Sequence, residues 1–375
     1  MKNCTALDHG VAVFQDGDLA PCCKFQQSYL PGYEKFTFRD YPKFRIEMQK
    51  VSDGMARGEH DHRCVECWHD EFLNLDSMRE QSNQWAHIDR NRVNEPQHFE
   101  LRFGNYCNLK CIMCWPGASS SVQTEYLSNE KRYNELGIFY SSYKNDPWWD
   151  TEEFLDFFEN IASTVKLLHF TGGEPFIVPA LPKILSRVKN PENIAVLFVT
   201  NMTNLREKVL DLLSGFESVF ITMSLEGVGS MNDYVRFPSR WSDIVANIEK
   251  AKTHFHRTKT NLRLEINHTF QHTSVYSFPA LCEWAQENEF ALHLSPVSGN
   301  KFLTMSSVPE PDMRKFLQWA SDSHIENENI KRFLTSIPNT YEFDQDSHRR
   351  YRDYVAMLDS LRDTDFESTF NPTPI

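Results

Sequence analysis

The chain has 375 residues, 40% hydrophobic and 24% charged, with a formal net charge of −13. That length suits one large domain plus a smaller one, and the acidic balance argues against a nucleic-acid partner held mainly through its phosphates, which needs a basic face. No apolar run reaches transmembrane length and the first residues carry no signal-peptide pattern, so a cytoplasmic location without a membrane partner is expected.

Nine cysteines in a cytoplasmic chain point to metal or redox chemistry more than to disulfides. Five of them lie in residues 1–96, a turn-rich zone. Residues 11–22 read as a hairpin turning at Asp16-Gly17. Residues 24–62 contain Phe25, Tyr29, Tyr33, Phe36, Phe38 and Tyr41, read as core of this zone ahead of a docking surface. Cys64 and Cys67 follow as a C-x2-C pair.

Residues 97–300 alternate strand-like and helix-like segments. Strands are expected at 99–103, 165–170, 194–199, 218–224, 262–269 and 291–295, each short and rich in Val, Ile, Leu or Phe. Between them lie helical patterns, such as Leu205, Val209, Leu212 and Leu213 on one stripe. Cys282 sits on an apolar helix and reads as a buried small hydrophobe. Six βα units in series imply parallel strands with crossover helices. Six are too few to close an eight-stranded barrel, so the expected fold is α/β, an open (β/α)6 partial barrel. Its ligands belong at the C-terminal ends of the strands. Residues 301–375 read as a helical extension with a frayed tail at 370–375.

Two motifs carry chemistry. Cys107-Asn-Leu-Lys-Cys111-Ile-Met-Cys114 follows the first barrel strand. Three thiolates on one short loop form a tripod, which leaves one iron of a cubane 4Fe-4S cluster without a protein ligand. The spacing alone also suits zinc. Gly172-Gly173-Glu174-Pro175 follows the next strand. A Gly-Gly turn alone is weak, but the two motifs end successive strands in order, which favours the cluster.

Together these motifs resemble the radical S-adenosylmethionine (radical SAM) enzymes, over roughly residues 97–300. The resemblance implies that Cys107, Cys111 and Cys114 hold a 4Fe-4S cluster and that Gly172, Gly173, Glu174 and Pro175 hold the SAM amino group. Thr200-Asn201-Met202-Thr203 is similar to the family's T-N-G turn, with Met202 in place of Gly. Ser224-Leu-Glu226-Gly227 is similar to the strand end that precedes an N-D-x-x-R stretch, here Asn232 to Arg236. Asn201, Ser224, Glu226 and Asn267 are the further SAM-contact candidates on this basis.

Cys4, Gly17 and Cys22 stand in C-x12-G-x4-C spacing, which resembles the opening of a twitch or SPASM domain. With Cys64 and Cys67 they make a Cys4 set for one auxiliary 4Fe-4S cluster; Cys22 or its neighbour Cys23 could be the ligand. In relatives this module follows the barrel, whereas here it precedes it and must approach the barrel mouth. Cys22, Cys64 and Cys67 with a nearby histidine would also suit structural zinc. The implied activity is reductive SAM cleavage to a 5′-deoxyadenosyl radical and hydrogen abstraction from a substrate, with oxidation of a peptide or protein ahead of a nucleoside-type or other small metabolite. A zinc-stabilised, non-catalytic binding protein is the reading from another class. The partners implied are the substrate and an electron donor such as flavodoxin or ferredoxin. The domain boundaries expected are 1–96, 97–300 and 301–375.

Overall fold

A computed structural model describes residues 3–25, 32, 34–72, 77–92, 95–144, 146–323 and 325–371. One sheet organises it. The strands are β1 (Gly10–Val13), β2 (Leu19–Ala20), β3 (His98–Arg102), β4 (Leu167–Thr171), β5 (Ala195–Thr200), β6 (Ser218–Ser224), β7 (Asn261–Phe270) and β8 (Ala291–Pro296). Their order across the sheet is β2-β1-β3-β4-β5-β6-β7-β8. From β3 to β8 every neighbouring pair is parallel and in chain order. Helices such as Glu152–Ala162, Glu207–Leu213, Trp241–Thr258 and Ser274–Glu287 make the crossovers. All six expected strands form, each within two residues of its expected bounds.

The sheet is wider than six strands. β1 runs parallel to β3, with Gly10 opposite His98 and Val13 opposite Leu101. β2 turns back antiparallel on β1, pairing Ala12 with Ala20. The expected hairpin is therefore present, and Gly17 takes the positive φ of 87° that its turn needs. The sequence reads it as local because two antiparallel strands satisfy each other. The four residues of β1 are all buried, as a strand covered on both faces must be.

The two faces of the sheet differ. Leu101, Leu168, Phe170, Val196, Phe198, Ile221, Met223 and Ile266 are fully buried under the helices. Phe103, Phe170, Phe198 and Phe176 stack in a run with centroid separations of 5.7, 4.8 and 4.7 Å. Burying each such ring contributes about 1.5–3 kcal/mol. The alternate residues line the concave inside: Glu100, Arg102, His169, Thr171, Thr222, Ser224 and Asn267. That inner face is mostly half-buried, polar on β3 and β4 and at the ends of β6 and β7, and apolar at Leu197, Val199 and Phe220.

Three sequence details differ. In Glu207–Leu213 the buried residues are Val209, Leu210 and Leu213, with Leu212 only partly covered, because the inward arc includes the flank of the stripe. Phe370 is not frayed: it is buried against the Tyr234 ring at 5.3 Å. Cys282 is half-buried rather than fully enclosed. Phe25, Phe36 and Phe38 are core, as expected; Tyr29 and Tyr33 lie outside the described residues. Among the described residues no helix is long and apolar enough to cross a membrane.

The C-terminal helices include Gln345–Arg362, which docks beside the cysteine loop. Tyr354 Oη donates to the carbonyl of Ile112 at 2.9 Å. Arg362 donates twice to the Glu125 carboxylate, at 3.1 and 2.7 Å, and both side chains are buried. Glu125 keeps Tyr133 Oη at 3.0 Å and Lys110 Nζ at 3.4 Å, so Arg362→Ala is expected to lower the unfolding free energy by about 1.5–3 kcal/mol. Equilibrium urea denaturation measures this.

Candidate active site

The cysteine loop leaves the C-terminal end of β3 and is pinned from three sides. Ser119 Oγ and Ser121 Oγ donate to the carbonyls of Leu109 and Cys107, at 2.6 and 2.8 Å. The amides of Lys110 and Ile112 donate to the carbonyls of Phe237 and Val235. Tyr354 holds Ile112 from the C-terminal helix. Eight residues with little regular structure are thereby fixed, and the thiols of Cys107, Cys111 and Cys114 fall close enough to raise one another. Burial pushes all three up, Cys107 to about 12, so as free thiols they keep their protons. A thiophilic centre binding them must displace those protons.

Gly172 and Gly173 follow β4 with φ of 75° and 56°. A Cβ on Gly173 would fall on the carbonyl oxygen of Tyr106, and one on Gly172 would press the Arg102 side chain. The turn is therefore built to touch the cysteine loop, and the amide of Glu174 donates to that same Tyr106 carbonyl at 2.6 Å. The Glu174 side chain points inward. It accepts from the amides of Phe176 and Asn201 and from Thr200 Oγ1, at 3.0, 2.7 and 2.8 Å. Burial pushes it up to about 7 against these donors. Glu174 thus ties the end of β4 to the end of β5. Pro175 starts a short helical turn and is buried.

Asn201 Nδ2 donates to Asn108 Oδ1 of the cysteine loop at 3.1 Å, while its Oδ1 accepts from Thr203. Met202 has φ 58°, the conformation a glycine adopts freely, and its side chain is buried. Ser224 and Asn267 pair across β6 and β7 and both face the inside of the sheet. Asn267 Oδ1 accepts from Ser295.

Glu226 is fully buried and its carboxylate is fully engaged. It accepts from Arg236 Nη2 at 2.6 Å and from the amide of Thr269 at 3.0 Å, with His268 Nδ1 3.2 Å away. Burial pushes Glu226 up to about 7 while Arg236 pulls it back. Arg236 Nη1 reaches Cys111 Sγ at 3.7 Å. The sequence pattern ends on Arg236 but gives no reason to include it among the site residues. The signal was the acidic strand end followed ten residues later by an arginine.

The second cysteine set also assembles. Cys4, Cys22, Cys64 and Cys67 line one small cavity, with Phe25, Met55, Trp68 and Arg79 around them. Cys22 faces this cavity; Cys23 turns towards Glu100 and Arg102. Cys4 precedes β1 and Cys22 follows β2, so both lie towards the N-terminal end of β3. The cysteine loop leaves the other end. The expected approach to the mouth is replaced by a position beside the lower wall, because β1 joins the sheet edge. Among the described residues no group of three or more His, Cys, Asp or Glu side chains is arranged to hold a single ion.

Residues 101–271 match the family model described as the Radical SAM superfamily. This part of the chain is a radical SAM domain. No curated protein matches the chain. Among solved structures it is similar to anSMEcpe with bound AdoMet, at 17% identity and a TM-score of 0.41, over 66% of this chain and 64% of that one. The chain thus spans just under two thirds of that protein's length. It is also similar to Streptococcus suis SuiB bound to precursor peptide SuiA, at 15% identity and a TM-score of 0.39, over 86% and 70% of the two chains. The radical SAM domain begins within β3 and ends just past β7, so it contains both glycine-rich and cysteine motifs.

The contact between Gly173 and Tyr106 yields a prediction. Gly173→Ala must push the cysteine loop away, so iron retained at the loop and SAM binding are expected to fall together. Anaerobic reconstitution followed by iron assay and calorimetry checks both.

Proposed function

We propose that the chain is a radical SAM enzyme that oxidatively modifies a peptide or protein. The observation that carries this is the convergence of three loop thiols, a buried guanidinium on one of them, and a glycine turn pressed on the same loop. The donor set fits a 4Fe-4S cluster with one iron left for SAM. Cys107, Cys111 and Cys114 would hold the cluster. Gly172 and Gly173, at positive φ that glycine adopts freely, would turn the backbone so that it meets the SAM amino group. Ser224, Asn267 and Asn201 would meet the rest of SAM from the strand ends, with Pro175 and Glu174 setting the turn. Bound there, cluster and SAM supply a 5′-deoxyadenosyl radical that takes hydrogen from a substrate.

Glu226 acts as a positioning residue through Arg236. The guanidinium beside Cys111 favours the more negatively charged state of whatever the thiolate binds. Arg236→Gln is therefore expected to lower the reduction potential of the loop-bound cluster. An EPR-monitored redox titration reads the shift.

The four cysteines around the second cavity support an auxiliary 4Fe-4S cluster ligated by Cys4, Cys22, Cys64 and Cys67, in a twitch-like module over residues 1–96. The half-exposed rim aromatics Tyr106 and Trp115 beside the cysteine loop suit an extended peptide substrate. Flavodoxin or ferredoxin is the class of donor that would supply the electron.

Replacing Cys107, Cys111 and Cys114 together with Ala tests the reading. About half the iron should remain, about four atoms per chain, with no SAM cleavage. Unchanged 5′-deoxyadenosine production would overturn the active-site assignment. A remainder of one zinc and no iron would overturn the auxiliary cluster while leaving the barrel site standing.

A further inference from the structure

The concave side of the sheet carries a file of polar side chains that the proposed SAM site does not use. β3 presents His98, Glu100 and Arg102 inward, and β4 presents His169 beside them. Arg102 Nε donates to Glu100 Oε1 at 2.8 Å, and His169 Nδ1 lies 3.9 Å from Glu100 Oε2. The His98 ring is 5.9 Å from His169 and 5.4 Å from His87. Trp85 stacks on His98 at 4.2 Å and closes the floor. His98 and Glu100 are more than nine-tenths buried, whereas His87 is half-buried at the floor.

Three ring nitrogens in this file have no partner although they are buried: His87 Nε2, His98 Nδ1 and His169 Nε2. Buried polar atoms are nearly always satisfied, so three together in one file mark a place built for hydrogen-bonded exchange. The His98 ring stands edge-on to His169 and tilted to His87, in ring contact with both. Burial holds all three imidazoles below their ordinary range, His87 at about 4, so each is neutral and can accept a proton at one nitrogen while releasing one from the other.

We propose that Glu100, His169, His98 and His87 form a proton exit through the barrel floor for the oxidised substrate. This rests on the proposed function. A two-electron oxidation removes a hydrogen atom, an electron and a proton. The hydrogen atom ends in 5′-deoxyadenosine. The electron would need an acceptor of the iron–sulfur class, which Cys4, Cys22, Cys64 and Cys67 would hold. The proton passes to the Glu100 carboxylate, then through His169 and His98 to His87 and solvent. Cys23 lies near Glu100 and its neighbour Cys22 faces that cavity, so electron and proton leave through the same wall.

The test substitutes His98→Phe, which keeps a ring for Trp85 but no nitrogen, and His87→Ala at the floor. Product formed per 5′-deoxyadenosine is expected to fall about tenfold or more in both. Added imidazole should restore it in His87→Ala, which a packing role would not explain. Independently, exchange of the His169 ring proton with D2O, followed by ¹⁵N NMR of histidine-labelled apo protein, should slow in folded His98→Phe. An unchanged product ratio with unchanged exchange overturns the relay while the proposed function stands. A parent protein that makes no 5′-deoxyadenosine overturns that function and the relay with it.

Discussion

The buried guanidinium of Arg236 is the constraint on which the site depends. It spans from the Glu226 carboxylate to the sulfur of Cys111. Glu226 in turn accepts from Thr269 at the end of β7, so one chain of charge-assisted bonds links two strand ends to the cysteine loop. An unpaired charge in that interior would be costly, which makes the pairing obligatory once the groups are buried. The loop itself has little apolar area with which to fix its shape. It borrows rigidity from this chain, from the serines that follow it and from Tyr354.

The strands were legible because their apolar runs are short and bounded by turn residues. The cysteine tripod and the Gly172-Gly173 turn were legible because spacing and order are preserved in the linear chain. Side-chain direction was not. Glu174 and Glu226 stand in motif positions, yet both carboxylates are spent inside the protein, and only the fold reveals their partners Thr200, Asn201 and Thr269. Arg236 was named only as the end of the N-D-x-x-R stretch, and nothing in the linear chain shows that it turns inward to Glu226 and Cys111. The choice between Cys22 and Cys23 could not be made from sequence, because neighbouring residues point to opposite sides and either could face the cavity.

The placement of β1 was illegible for a different reason. A hairpin satisfies its own hydrogen bonds on one side only, and nothing local tells which strand will take the other edge. Here β3 takes it. The inner wall gained in this way includes Phe14, whose ring lies 4.7 Å from the Arg102 guanidinium. The N-terminal segment therefore shapes the interior of the barrel as well as carrying its own cysteines.

That pairing has a kinetic meaning. β3 begins near the level of the four-cysteine cavity and runs directly into the loop of Cys107. Its five residues span about 13 Å at the usual strand rise. Two redox centres at these positions would be separated by one strand of a continuous sheet, with no hinge between them. Electron tunnelling depends steeply on distance, so its rate would be set by backbone hydrogen bonds and would not wait on domain closure.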